Sequence, residues 1–278
     1  MDTPTKQEVH NFDSLEALSR QAAEYVCRCA CEKVEKSGCF SLALSGGTTP
    51  RRLYETLARK PFAENMPWDR CHFFWSDERF VPYDHQESNF GMAYRAMLAG
   101  VPVPEPNIHR MPTDSDSAEE AALVYEGHLR KFFSSGSRQK VSSSGEGDFP
   151  RFDMILLGVG PDGHTASLFP GSPVLKESSR WVAAAEAPPN YPARMRLTLT
   201  LPVLNSADWV LFLVAGEDKT PVIESIFDRQ QSAENEFPAA RVRPNQGNLI
   251  WFVTRPDNSK NKLNGKEKLS CYFTKEKP

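Results

Sequence analysis

Short apolar runs alternate with longer segments of helical periodicity along most of this chain, and that alternation limits the fold more than any other feature. Strand-like runs occupy 40–44, 71–76, 107–111, 152–157, 181–185, 195–201, 208–214 and 248–254. Between them, apolar residues recur at helical spacing over 14–36, from Thr49 and Pro50 to about Arg59, from Asn89 to Gly100, over 117–133, and after Lys219 through Arg229. The first helix has Asp13-x-x-Glu16 as a capping box and Gly38 as its stop. Parallel strands cannot be joined by tight turns and need a crossover, usually a helix. The pattern therefore predicts an α/β fold with a mainly parallel sheet and helices on both faces.

The rhythm runs from the N-terminal region to Thr254, so residues 1–254 read as a single α/β domain of the 278-residue chain. Residues 134–151 are rich in Ser and Gly and poor in apolar groups, the composition of a flexible insertion, and the rhythm resumes after them. Seven Lys/Arg against three Asp/Glu give 255–278 a charge of +4, which leaves −7 on the rest of a chain whose net charge is −3. This basic stretch is expected to be disordered. The mild negative charge argues against nucleic acid as a partner. No apolar run approaches the ~20 residues of a membrane span, and the opening residues have no hydrophobic signal core, which points to a cytoplasmic protein.

The six cysteines do not make a metal centre. Cys27 and Cys31 share one side of a helix while Cys29 points elsewhere, and Cys39, Cys71 and Cys271 are isolated. No C-x-x-C or H-E-x-x-H spacing occurs, so reduced, structural thiols and no metal or other cofactor are expected. Gly158-Val159-Gly160-Pro161-Asp162-Gly163 fits the G-x-G-x-x-G template after an apolar run. Three features oppose a dinucleotide there. Asp162 would stand where a pyrophosphate should sit, Pro161 removes a backbone donor, and Pro170 and Pro173 limit any following helix to about two turns. The loop reads instead as a device that presents Asp162 and His164 at a strand end.

Polar segments of one kind follow four predicted strands: Ser45-Gly46-Gly47-Thr48, Asp77-Glu78-Arg79, Asp162-Gly163-His164 and Glu217-Asp218-Lys219. Ligands of open parallel sheets bind outside the carboxyl ends of strands, so four distant segments are expected to meet in one site. Ser45-Gly46-Gly47-Thr48 is the best phosphate cradle, because two glycines let backbone N–H groups approach an oxyanion at a helix start. Arg51 and Arg52 lie in that helix's first turn, where a nearby anion would offset their unfavourable position, and Lys219 could reach the same phosphate.

LALSGGTTP, WSDERFVP, SNFGMAYRAML, ILLGVGPDGHTASLFPGS, MRLTLTLPVLN and LVAGEDK occur in that order, and together they resemble the 6-phosphogluconolactonases over most of residues 10–254. The broader superfamily includes glucosamine-6-phosphate isomerase/deaminase. The resemblance implies a Rossmann-like α/β fold, no required metal, and hydrolysis of 6-phospho-D-glucono-1,5-lactone in the oxidative pentose phosphate pathway. It puts phosphate binding on Gly46, Gly47 and Thr48, with Arg196 and Lys219 as helpers, and catalysis on Asp77, Arg79 and His164. In the expected mechanism His164 takes a proton from water, Arg79 or backbone N–H groups stabilise the oxyanion, and Asp77 orients His164 or the substrate.

Two alternatives have distinct signatures. A deaminase of amino-sugar phosphates is expected to carry Asn-Glu-Pro where this chain has Leu168-Phe169-Pro170, and Asp-Glu-Tyr in place of Asp77-Glu78-Arg79. A non-catalytic sugar-phosphate sensor would need only the cradle. A sugar-phosphate lactone is the only partner expected, with the chain a monomer or weak homo-oligomer.

Overall fold

The computed structural model describes residues 6–134, 141–142, 148–228 and 237–254. The basic segment 255–278 and most of the insertion 134–151 lie outside the described residues. In chain order the strands are β1 (Lys6–Phe12), β2 (Phe40–Leu44), β3 (Cys71–Trp75), β4 (Asp77–Arg79), β5 (Val141–Ser142), β6 (Phe149–Pro150), β7 (Met154–Leu157), β8 (Val182–Glu186), β9 (Met195–Leu199), β10 (Trp209–Val214) and β11 (Asn248–Thr254). The helices are α1 (Leu15–Ser37), α2 (Thr48–Leu57), α3 (Phe62–Asn65), α4 (Asn89–Ala96), α5 (Ala118–Ser134), α6 (Leu201–Leu204) and α7 (Thr220–Phe227).

Six strands form one sheet in the order β1-β11-β10-β7-β2-β3, and every pairing in it is parallel. Strands β2, β3 and β7 are buried along their whole length, as expected where both faces of a parallel sheet are covered. Alternate residues of β3 show the two layers. Phe74 packs on Phe132 and Phe133 of α5, while Trp75 packs on Phe90 of α4.

The topology opens a crevice at one place. From β2 the chain crosses to β3 on one flank, whereas β7, β10 and β11 build out on the other. β2 and β7 pair only through Leu42↔Met154 and Ala43↔Ile155, so their carboxyl ends part. Loops leaving such a reversal point diverge and leave room for a ligand.

A second sheet, β4-β9-β8, is antiparallel and lies beside that edge. Ser76 joins the two sheets: its N–H donates to Leu44 O at 2.8 Å, and its carbonyl accepts from Leu199 N at 2.8 Å.

The structure departs from the sequence expectations at several points. Residues 6–12, unassigned from sequence, form the edge strand β1. Asp77–Arg79, read from sequence only as a polar segment after a strand, forms a strand of its own. Residues 107–111 make a single bridge, Phe73↔Ile108, and no strand. The cap of α1 is Ser14, which accepts from Ala17 N, and not Asp13. α2 starts at Thr48, one residue before the expected start at Thr49, and its N-cap residue Gly47 gives it no side-chain cap hydrogen bond. No helix follows the loop after β7, where turns and 3-10 geometry replace the short helix that was expected. A pyrophosphate would therefore find no helix dipole behind that glycine loop.

Candidate active site

The loop after β7 seats an imidazole. Gly160 N donates to His164 O at 2.9 Å and Gly163 N to Gly160 O at 3.0 Å. Gly163 has φ +78°, a conformation that glycine adopts without strain. A Cβ on Gly160 would lie 2.1 Å from ring atoms of His164, so the ring rests where only a hydrogen can stand.

His164 Nδ1 is 2.5 Å from Asp162 Oδ1. Burial works to raise the Asp162 carboxyl, but the hydrogen bond and charge of His164 outweigh it and hold the carboxyl below the usual aspartate range. Asp162 thus occupies the position on His164 that the sequence reading offered to Asp77, because two residues across a glycine turn can close on each other without help from the fold. Phe169 and Tyr191 wall the imidazole, with ring centroids 4.6 and 5.3 Å away.

Asp77 is buried on β4 and tied elsewhere. Its Oδ2 accepts from Ser167 Oγ at 2.7 Å, and its carbonyl accepts from Asn89 Nδ2 at 2.9 Å. Glu78 is buried too. Its oxygens accept from the backbone N–H groups of Arg79, Asn89 and Phe90 at 2.7–2.8 Å, which clips β4 to the first turn of α4. Burial pushes the Glu78 carboxyl up to about 7, against the pull of those three donors.

Arg79 and Arg196 face each other across the β4–β9 ladder. Arg79 donates to Glu87 O at 2.6 Å, and its buried Nε has no hydrogen-bond partner among the described residues. Arg196 is 3% exposed, and burial lowers its pKa. Its Nε and one terminal nitrogen donate to Ala193 O and Pro192 O at 3.1 and 2.9 Å. Much of this guanidinium therefore straps a loop, whatever it gives to a ligand. A pair of facing cations suits an anion between or above them.

The cradle sits on the other wall of the crevice. Ser45 is buried, with Tyr54 Oη accepting from its N–H at 2.9 Å and donating to its carbonyl at 2.8 Å. Gly47 has φ +100°, and Gly47 and Thr48 are exposed at the start of α2. Gly46 lies against Asn89: a Cβ there would fall 1.9 Å from Asn89 Oδ1. Asn89 thus touches the cradle with one end and Asp77 with the other. Lys219 closes the 3-10 turn Glu217–Lys219 after β10 and lines a shallow groove with Val214, Gly216 and Val253.

All four polar segments follow the carboxyl ends of β10, β7, β2 and β3, which are four consecutive strands of the sheet. Asn89 and Ser167 contact Asp77 and Tyr191 contacts His164, and none of the three was among the residues expected from sequence. Asn89 showed only as a helix opener. Tyr191 lies 27 residues from the imidazole it touches, and no local pattern marks it. Among the described residues no group of three or more His, Cys, Asp or Glu could hold a metal ion. Of the cysteines, Cys27, Cys29, Cys31, Cys39 and Cys71 are free thiols, while Cys271 lies outside the described residues.

Known proteins share both the sequence and this architecture. The 6-phosphogluconolactonase of Synechocystis sp. is 43% identical over 220 residues, covering 79% of this chain and 84% of its own. The chloroplastic 6-phosphogluconolactonase 3 of Arabidopsis thaliana is 36% identical over 255 residues, covering 92% and 75%. The solved 6-phosphogluconolactonase of Trypanosoma cruzi superposes with a TM-score of 0.79 at 28% identity, over 91% of this chain and 96% of that one. A monomeric glucosamine-6-phosphate deaminase shares the fold at 19% identity, with a TM-score of 0.72 over 89% and 97%. The model of the glucosamine-6-phosphate isomerases/6-phosphogluconolactonase family matches residues 13–251. The chain belongs to this family.

Proposed function

We propose that the chain hydrolyses 6-phospho-D-glucono-1,5-lactone to 6-phospho-D-gluconate. The observation that carries this reading is the Asp162–His164 pair, one acid–base unit set at the mouth of the crevice opposite an open anion cradle. An isomerase that moves a proton between carbons and opens a ring needs a further acid, and Leu168-Phe169-Pro170 offers none. Hydrolysis needs only an activated water, a polarised carbonyl and a docked phosphate.

In this mechanism the Ser45–Thr48 turn, with Lys219 and the free donors of Arg196, holds the 6-phosphate. Asp162 accepts Nδ1–H of His164, so the lone pair of Nε2 is the base. Water gives a proton to Nε2 as its oxygen bonds to C1. The unpartnered Nε–H of Arg79 supports the negative charge that grows on the carbonyl oxygen. The tetrahedral intermediate collapses, the bond from C1 to the ring oxygen breaks, and imidazolium returns its proton to that oxygen. Asp77, fixed by Ser167 and Asn89, shapes the floor and places a negative charge beside the arginine pair.

The reading extends to a single α/β domain over 1–254, acting in the cytoplasm as a monomer or weak homo-oligomer. Among the described residues no helix is long and apolar enough to cross a membrane.

The test is turnover of freshly made lactone, with 6-phosphogluconate detected by a coupled dehydrogenase and the spontaneous rate subtracted. Saturable acceleration is expected. Ammonia release from glucosamine 6-phosphate would transfer the proposal to the deaminase branch. Binding of sugar phosphates without turnover would leave a sensor.

A further inference from the structure

Gly46 and Gly47 are neighbours in the cradle, but they are glycines for different reasons. Gly47 has φ +100°, a conformation that side chains disfavour, whereas Gly46 is not among the residues held at positive φ. What excludes a side chain at Gly46 is Asn89. A Cβ there would stand 1.9 Å from Oδ1, 2.5 Å from Cγ and 2.9 Å from Nδ2 of Asn89, so the whole amide lies across the Cα of Gly46. The same atom on Gly47 would meet nothing closer than 3.9 Å.

The amide is held from its far side. Asn89 is 2% exposed and opens α4, and its N–H donates to Glu78 Oε1 at 2.7 Å. Its Nδ2 donates to the Asp77 carbonyl at 2.9 Å and leans toward Asp77 Oδ1 at 3.4 Å. Both of those oxygens only accept when the carboxyl is ionised, so this end of the amide must be the nitrogen. Ser167 Oγ donates to the other carboxylate oxygen of Asp77. Gly46 is fixed from its own side too. Ser45 has its N–H and its carbonyl on Tyr54 Oη, and Ser45 Oγ donates to Gly46 O at 3.3 Å. One buried amide thus spans the gap between the segment after β2 and strand β4, and a buried donor left unpaired is costly enough to keep it in that orientation.

We propose that Asn89 is a positioning residue that sets the spacing between the anion cradle and the Asp77 floor, and that residue 46 is glycine to admit it. Asn89 acts through the Gly46 backbone and through Asp77, not by contact with the substrate. A sugar lactone docked by its 6-phosphate presents C1 at its other end. The spacing of cradle and floor therefore decides whether C1 meets the imidazole and the arginine pair. This rests on the hydrolytic reading above.

Two substitutions and their combination test the idea. Asn89→Ala removes the strut. Its kcat should fall by about tenfold to a hundredfold, the scale for reacting groups misplaced by up to about 1 Å, with KM within about threefold because the cradle's own N–H groups remain. Gly46→Ala drives a methyl group into the amide and should lower kcat likewise. In the double variant the methyl has room, so kcat should stay within about twofold of Asn89→Ala alone. Asn89→Asp keeps the volume but turns an oxygen toward acceptors of Asp77, and should be no better than Asn89→Ala. Hydrogen exchange of the Asn89 side-chain amide, read by nitrogen–proton NMR without any substrate, should be slow in the wild type and fast in Gly46→Ala. Additive losses in the double variant would overturn the proposal, since the glycine would then serve the ligand and not Asn89. So would a raised KM at constant kcat in Asn89→Ala, which makes Asn89 a substrate contact, or a lowered melting temperature with wild-type kcat, which makes it scaffolding alone. If Asn89→Ala does not fold, Gly46→Ala decides, and an Asn89 amide protected as in wild type overturns the proposal. If the wild type fails to hydrolyse the lactone, the reaction is misassigned, and the exchange measurement still decides the link between Gly46 and Asn89.

Discussion

Gly160 and Asp162 leave the His164 ring one place to sit, with one nitrogen engaged and the other open. His164→Asn retains a polar side chain of similar shape but removes the proton acceptor. It should lower kcat by about 10²–10⁴ and leave KM little changed. Lys219→Ala should do the reverse. A phosphate contact is equally strong in the bound substrate and the transition state, so its loss should raise KM and spare kcat. A His164→Asn enzyme within a few-fold of wild type, beside an inactive Asp77→Asn enzyme, would move the base to Asp77. That one glycine turn presents both Asp162 and His164 was legible in the sequence, but their pairing was not, and the sequence reading gave the orienting role to Asp77. The packing of Asn89 on Gly46, and of Tyr191 on His164, was not legible either, since each contact joins segments separated by a whole element.

Strand β4 and helix α4 are held together by one carboxylate. Glu78 accepts three backbone N–H groups, two of them from the first turn of α4, and so places Asn89 between the cradle and Asp77. Burial raises the Glu78 carboxyl from 4.5 to about 7. Between those values the folded state binds a proton that the unfolded chain has lost, so this group's contribution to stability falls as pH rises through that window. Glu78→Gln has no such titration. The advantage of wild type over this variant in melting temperature should therefore be greatest near pH 5 and shrink toward pH 8. A gap that is constant or widens over that range would show that Glu78 is already ionised in the folded protein near pH 5. The sequence reading ended the strand at residue 76 and took Asp77-Glu78-Arg79 as a polar segment after it, because three polar residues carry no period-2 apolar signal. They form a strand because Ser76 bends the chain onto β9.

At the scale of the molecule, the parallel sheet ends on β1, which pairs with β11 over its full length from Lys6↔Asn248 to Phe12↔Thr254. Removing residues 1–12 would strip this cover from a buried strand and from Phe252, against which His10 and Phe12 pack. The melting temperature should fall by at least about 5 °C. A chain ending at Thr254 should melt and turn over like the full chain, since 255–278 has little apolar area to bury. Differential scanning calorimetry of the two truncations checks both statements. Equal melting temperatures for the first truncation and wild type would show that β1 adds nothing, and a clear loss for the second would show that the tail docks on the body.

Sequence alone determined the α/β class, the parallel sheet and the four polar segments, because burial on both faces of a strand and one-sided burial of a helix leave periods of their own in the chain. It also determined the glycines, which stand where a backbone must turn at positive φ or let a ring or an amide come close. Strand order decided the rest. Only when β7 lies beside β2, with the chain leaving them in opposite directions, do the cradle and the imidazole face one crevice. Only the β4–β9 register sets Arg79 opposite Arg196. Those relations are long-range in sequence, and no local energy encodes them. They follow from how the buried faces of distant elements pack, which is why Asn89 and Ser167 meet Asp77, and Tyr191 meets His164, only in the folded chain.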